Sequence, residues 1–388
     1  MKFLRALLLC LLMLSFVCPA FAAEISPEQK AEADAFFETL FEKSEAVGGI
    51  FLLSQGGERL YAYAHGYSDR SDKTPVTEET VFKVASVTKM ITAIGVMQLV
   101  EDEMLSLDGP LAASDGTPIR HPRYPDQPIT LRQIMSHTAS FLESAPYAVR
   151  PRWREIDMES GYFAHWAPGS RYEYANLNGG FLCSQIEFAS GQSLNDYMQD
   201  HVFAPLSING AYAATLLPDA SFLSDTFRVD GSLYKSAESY LKDDADFDNT
   251  CNPDRHYRTS VGSLYISAEG LEKLGLILAC GEAEGVRLLN EETARMMRVD
   301  QRLIPEGNVM AQSPYGLCVY RYDLGWDQWY GHQGRWEGLL VDVFFEPYTE
   351  TVMVFIANGV KKEPGREVSS YVEEMIRFIS PWTDFIVE

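Results

Sequence analysis

Apolar residues between positions 81 and 101 (VFKVASVTKMITAIGVMQLVE) fall on nearly every face of a 3.6-residue repeat. Val84, Val87, Met90, Ile91, Ile94, Met97 and Val100 leave no polar stripe, and a helix that is apolar all round is a buried one. The pattern predicts a buried central helix over 81–101. Upstream, Ser26-Pro27-Glu28-Gln29 reads as a capping box with proline at the first helical position. It opens a helix whose stripe is Phe36, Phe37, Leu40 and Phe41 and which Gly48-Gly49 should stop. Residues 50–53 and 59–64 read as two strands joined around Gly56-Gly57, a β-hairpin.

From Leu105 to about Cys251 strand alternation nearly vanishes. Short helical patterns, clearest at 130–136 and 179–189, are broken by Pro110, Pro118, Pro122, Pro125, Pro128, Pro146, Pro151, Pro168 and Pro205. Strand signals return at 315–320, 339–345 and 351–357, the last two turned by Pro347-Tyr348-Thr349-Glu350, and 366–379 closes the chain as an amphipathic helix. The expected class is α+β: an antiparallel sheet flanked by helices, with a mostly helical inserted sub-domain. Residues 23–104 and 255–388 would form the sheet-bearing part, and 105–254 the insertion.

Residues 1–22 change the expected location. Lys2 and Arg5 precede an apolar run that ends in Ala20-Phe21-Ala22, the pattern of a secretory signal peptide cleaved after Ala22. The run is short for a membrane span and Pro19 interrupts it. A periplasmic or secreted chain without stable membrane insertion follows. The formal charge of −23 disfavours nucleic acid as a partner. Of the cysteines outside the leader, Cys183 and Cys318 sit in apolar runs and read as core thiols. Cys251 and Cys280 are the better candidates for a disulfide in an exported chain. Asp244, Asp246 and Asp248 alternate as in a calcium loop, but Asn249 and Arg255 stand where its glycine and glutamate belong. No metal and no cofactor is expected.

Candidate chemistry sits at the start of the central helix. Ser86 and Lys89 are three residues apart, so hydroxyl and amine share one helix face. Ser-x-x-Lys recurs at Ser232–Lys235 and Ser239–Lys242, but in polar surroundings that suit a solvated surface. Only the first lysine is embedded among apolar residues, where burial is costly unless something pairs or uses the amine. Two further words follow in the chain, Tyr174-Ala175-Asn176 and His332-Gln333-Gly334.

In that order, Ser86-Val87-Thr88-Lys89, Tyr174-Ala175-Asn176 and His332-Gln333-Gly334 resemble the three motifs of the serine β-lactamase and DD-peptidase superfamily. Tyr-x-Asn with His-x-Gly is similar to the branch holding D-alanyl-D-alanine carboxypeptidases, D-aminopeptidases and related esterases. Flanking words agree, among them Leu105-Ser106-Leu107-Asp108, Ser136-His137-Thr138, Tyr315-Gly316-Leu317 and Ala357-Asn358. The resemblance implies a β-lactamase/transpeptidase-like fold and an acyl-enzyme on Ser86. Lys89 and Tyr174 would move the proton, with the choice of base open. Asn176 would bond the lysine or a substrate amide. The N–H groups of Ser86 and Arg335 would form the oxyanion hole, each typically contributing about 3 kcal/mol. His332 and Gly334 would border the substrate. His332 stands where class C β-lactamases usually carry a lysine. A histidine is largely neutral at pH 7, so dependence on an anionic substrate tail should weaken, unless Arg335 supplies the missing cation.

The implied substrate is a small peptide, ester or amide. The alternatives are a non-hydrolytic module that binds cell-wall peptides or a partner protein, and an acyltransferase with another acceptor than water. Oligomeric state is open.

Overall fold

The computed structural model describes residues 25–112, 116–144, 161–253, 258–301, 315–325, 328–360 and 370–383. The expected signal peptide lies outside them. Helix α1 (Pro27–Ser44) opens with the anticipated capping box, Ser26 and Gln29 each accepting from the other's backbone N–H. Strands β1 (Gly48–Gln55) and β2 (Glu58–Asp69) follow, then β3 (Thr74–Pro75) and β4 (Val81–Lys83). Helix α2 (Val87–Glu101), α3 (Leu131–Met135) and α4 (Asn176–Ser190) lead to β5 (Gly210–Ala211) and β6 (Tyr265–Ser267). Helices α5 (Ala268–Cys280) and α6 (Glu291–Arg298) precede β7 (Tyr320–Asp323), β8 (Gln328–Trp336), β9 (Leu339–Glu346) and β10 (Thr351–Asn358), and α7 (Ser370–Thr383) ends the described chain.

Seven strands form one antiparallel sheet in the order β7-β8-β9-β10-β1-β2-β3. Both faces of its centre are covered, so β1, β9 and β10 are buried along their whole length. Side chains alternate across a strand. Phe51, Leu53, Phe344, Met353 and Phe355 therefore meet α1 and α7 on one side. Ile50, Leu52, Val341, Val343, Val354 and Ile356 meet the apolar cluster of α2 and α5 on the other. Between α2 and β6 the chain is strand-poor, with short helices and two-stranded ribbons, as its prolines suggest. A second sheet, β4-β6-β5, lies beside the start of α2.

Several local expectations change. The apolar run at 81–101 is not one helix: its first three residues pair with β6 as β4, and α2 begins only after Ser86. Helix α1 stops at Glu45 in a left-handed conformation, before Gly48-Gly49. Those glycines belong to β1, where packing leaves no room for a Cβ. One on Gly48 would lie 2.2 Å from the Tyr67 carbonyl oxygen, and one on Gly49 2.4 Å from the Phe41 ring. The predicted strand at 315–320 reduces to a bridge between Tyr315 and Tyr320, and β7 starts at Tyr320. His332-Gln333-Gly334 lies inside β8, a strand that the pattern of residues did not mark. The Gly56-Gly57 turn is as expected, both residues having positive φ, which glycine adopts without strain.

The Cys251–Cys280 pairing is also overturned: among the described residues all four cysteines are free thiols. The Cys251 Sγ donates to the Glu187 carbonyl, whereas the Cys280 Sγ contacts the carbonyls of Leu276 and Glu282. Spacing could not show that each thiol has its own backbone acceptors. Cys183 and Cys318 are buried, as expected. Among the described residues no helix is long and apolar enough to cross a membrane. Without reductant, iodoacetamide should label Cys251 in the native chain, and Cys183 and Cys318 only after unfolding. Intact mass before and after alkylation checks this; a mass two protons lighter, with Cys251 refractory, would restore the disulfide.

Candidate active site

Burial of α2 fixes the position of Ser86. The chain leaves β4, turns through Val84 and Ala85, and enters the helix at Ser86. Ala85 has φ +46°, a left-handed conformation that costs a non-glycine residue energy and persists only where its surroundings impose it. The turn is held by Val84 N–H on the Leu264 carbonyl, at 3.0 Å. The amides of Val87, Thr88 and Lys89 are spent on the carbonyls of Val84, Ala85 and Ser86. The Ser86 amide is not among the donors of this turn.

Lys89 lies one turn into the helix and is completely buried. Its methylenes press against Gly179 of α4, where a Cβ would stand 2.7 Å from Cε. The Nζ lies 3.0 Å from Ser86 Oγ, 2.9 Å from Asn176 Oδ1 and 2.8 Å from the Val261 carbonyl oxygen. Burial among helices lowers its pKa to about 7, only partly offset by the nearby Cys318 and Glu143. A neutral amine has two N–H groups and one lone pair. Two donors then meet Asn176 and Val261, and the lone pair faces the serine hydroxyl.

Tyr174 completes the cluster. Its hydroxyl hydrogen-bonds Ser86, and its ring lies 5.3 Å from the Lys89 Nζ. Burial pushes the phenol well above its usual value, outweighing the bond to Ser86 that pulls it down. His137 stacks on the Tyr174 ring at 4.2 Å. Its Nδ1 accepts from the Ala175 N–H at 3.2 Å and lies 3.0 Å from the Asn178 amide. That fixes the Nε2–H tautomer, and burial lowers its pKa well below the ordinary value. Asn176, first residue of α4, donates from Nδ2 to Glu143 Oε1 at 3.2 Å.

The opposite wall is β8. Its neighbour β7 stops pairing at Gly331, so residues 332–336 have a strand partner only in β9. The other edge faces the turn before Ser86. A Cβ on Gly334 would lie 2.1 Å from the Val84 carbonyl oxygen, so only glycine lets strand and turn meet. Arg335 follows, its Nη2 donating to Gln333 Oε1 at 3.1 Å, and Gln333 Nε2 bonds Asp342. His332 is buried, with Nδ1–H donating to the Gln333 carbonyl at 2.7 Å and Nε2 accepting from the Tyr315 hydroxyl at 3.1 Å. Burial first and Lys89 second push its pKa down to about 3, so it is neutral at pH 7. Both ring nitrogens are held inside the protein.

Ser86, Lys89, Tyr174 and Asn176 thus converge by direct contacts, with Gly334 against the turn that carries Ser86. His137, Glu143, Gly179 and Tyr315 were not singled out by sequence for this site. His137 lies in one of the flanking words, but nothing local marks it as the support of Tyr174. Glu143 carries no signal.

The Beta-lactamase family model matches residues 33–374. Penicillin-binding protein 4* of Bacillus subtilis (strain 168) is 25% identical over 383 residues, covering 91% of this chain and 77% of that protein. Esterase EstB of Burkholderia gladioli is 31% identical over 199 residues, 46% of this chain and 50% of the esterase. The crystal structure of D-amino acid amidase from Ochrobactrum anthropi SV3 with D-phenylalanine superposes with a TM-score of 0.69 at 19% identity, covering 91% of this chain and 98% of that one. An antiparallel sheet between helices, a buried lysine on a helix-opening serine and a match over most of the chain lead to one assignment: this protein belongs to the Beta-lactamase family, and is a serine hydrolase of that family.

Proposed function

We propose that the chain is an exported hydrolase that forms an acyl-enzyme on Ser86 with D-amino-acid peptides or amides, or small esters. The observation that carries this reading is the contact of a buried Lys89 amine with Ser86 Oγ at 3.0 Å. Burial moves amine and phenol apart. The lysine comes down to about 7, while the tyrosine rises well above its usual value. Near neutrality the amine is therefore the base, and Tyr174 stays a protonated relay. Those two opposite shifts favour Lys89 in the choice that the sequence leaves open.

In acylation, the Ser86 oxygen bonds the substrate carbonyl carbon as its proton passes to Lys89. The oxyanion forms beside the Ser86 and Arg335 N–H groups. Collapse breaks the bond to the leaving amine or alcohol, which takes a proton relayed from Lys89 through Tyr174. Water then repeats the sequence on the ester. Neutral, internally bonded His332 offers no cation to a substrate carboxylate, which weighs against the usual β-lactam geometry. The names of the esterase and the D-amino acid amidase support ester and D-amino-acid amide substrates.

Three outcomes follow. Ser86→Ala should lower turnover of an activated ester by about four orders of magnitude while the melting curve stays cooperative. A fluorophosphonate should add one adduct to the wild-type mass and none to that variant; unchanged turnover ends the proposal. Second, kcat/KM should rise with pH through a midpoint near 7 as Lys89 loses its proton. His332, held down to about 3, should add no step there. A profile flat from about pH 5 to 9 would remove Lys89 as base. Third, Gly334→Ala should push β8 off Val84 and cost about 100-fold or more in kcat, read on the same ester with circular dichroism as the fold control.

A further inference from the structure

Tyr174 must meet Ser86 from a stretch with little structure of its own. Residues 171–175 belong to no helix or strand. No ladder of backbone bonds therefore fixes the segment that carries the phenol. Its hydroxyl nevertheless bonds Ser86. The hold comes from His137, a buried residue just beyond α3.

Contacts of His137 fall on both sides of Tyr174. The Glu173 N–H donates to the His137 carbonyl at 2.9 Å. The Ala175 N–H donates to its Nδ1 at 3.2 Å. Between the two, the imidazole stacks on the phenol ring, with centroids 4.2 Å apart and planes at 27°. His137 makes these contacts from a left-handed backbone, φ +55°. That conformation costs a non-glycine residue energy and persists only where its surroundings impose it. Its own anchorage is firm. The His137 N–H donates to the Ile134 carbonyl of α3 at 3.2 Å, and the Thr138 carbonyl accepts from the Gly169 N–H at 2.7 Å.

The imidazole is placed to hold rather than to carry a proton. Its Nδ1 lone pair is occupied by the Ala175 N–H, with the Asn178 amide 3.0 Å away. A proton on Nδ1 would set one N–H against another. Nε2 has no hydrogen-bond partner among the described residues. What the contacts fix is the aim of the phenol. Misplacing a reacting group by about 1 Å costs on the order of 100-fold in rate.

We propose that His137 is a positioning residue for protonation of the leaving group: by taking the N–H groups before and after Tyr174 and stacking on its ring, it keeps the phenol between Lys89 and the departing atom. This rests on the hydrolase reading. His137 gains and loses no proton. The leaving oxygen or nitrogen takes the Tyr174 proton, which Lys89 replaces.

Two esters test the role. Trifluoroethyl acetate and p-nitrophenyl acetate yield the same acetyl-enzyme, but only trifluoroethoxide needs a proton to leave. His137→Ala should lower kcat/KM about 100-fold on the first and less than about tenfold on the second. His137→Asn places an oxygen near the former Nδ1 and tolerates the left-handed backbone, so it should recover about tenfold of the loss. In Tyr174→Phe, which has no proton to pass, adding His137→Ala should leave the ratio between the esters within about twofold. If His137→Ala does not melt cooperatively, His137→Phe, which keeps the stacked ring but not the acceptor, carries the same comparison. Equal losses on the two esters, or a skew that persists without the phenol, would overturn the role. A wild-type chain that takes no fluorophosphonate at Ser86 ends the hydrolase reading; one that takes it, with an ester ratio unmoved by the His137 variants, ends only this inference.

Discussion

The structure depends on a lysine kept out of water. Removing an ammonium from solvent is costly, and an unpaired one in an apolar interior sheds its proton instead. Lys89 sits at that limit. Burial lowers its pKa to about 7, while three acceptors within 3.0 Å keep it satisfied in either protonation state. Each acceptor comes from a different place: Ser86 before α2, Asn176 at the start of α4, and Val261 just ahead of β6. Holding one amine thus ties three distant stretches of chain together.

Small residues make that convergence geometrically possible. Gly179 lets α4 lie on the lysine stem, and Gly334 lets β8 touch the Val84 carbonyl. Ala85 itself is strained, at φ +46°. Backbone strain at this point is consistent with the need to turn from β4 into α2 within three residues, which leaves Ser86 at the helix mouth. Packing of the sheet against α2 and α5 holds the strained turn in place.

The same burial separates titrations that would otherwise compete. It lowers Lys89 and His332 and raises Tyr174, so one group in the cluster changes charge near neutrality. A lysine ammonium at this distance would by itself favour the phenolate. Desolvation of the tyrosine outweighs that attraction, and the pair settles as amine and phenol. For His332, the low charge anticipated from its type agrees with the structure, though through burial and two internal hydrogen bonds that its sequence position did not announce.

Much was legible in the chain alone, because those signals are local. The α1 capping box, the Gly56-Gly57 hairpin, the closing hairpin and the Ser86–Lys89 spacing depend on contacts within a few residues, where residue type nearly dictates geometry. The apolar run at 81–101 announced burial but not the switch from β4 to α2. Strand pairing is settled by the partner β6, which lies more than 150 residues away. The roles of Gly48 and Gly49, the placing of His332 inside β8, the free state of Cys251 and Cys280 and the support of Tyr174 by His137 were likewise tertiary decisions. Each depends on which distant atom comes within about 4 Å, and a linear pattern of residue types does not encode that distance.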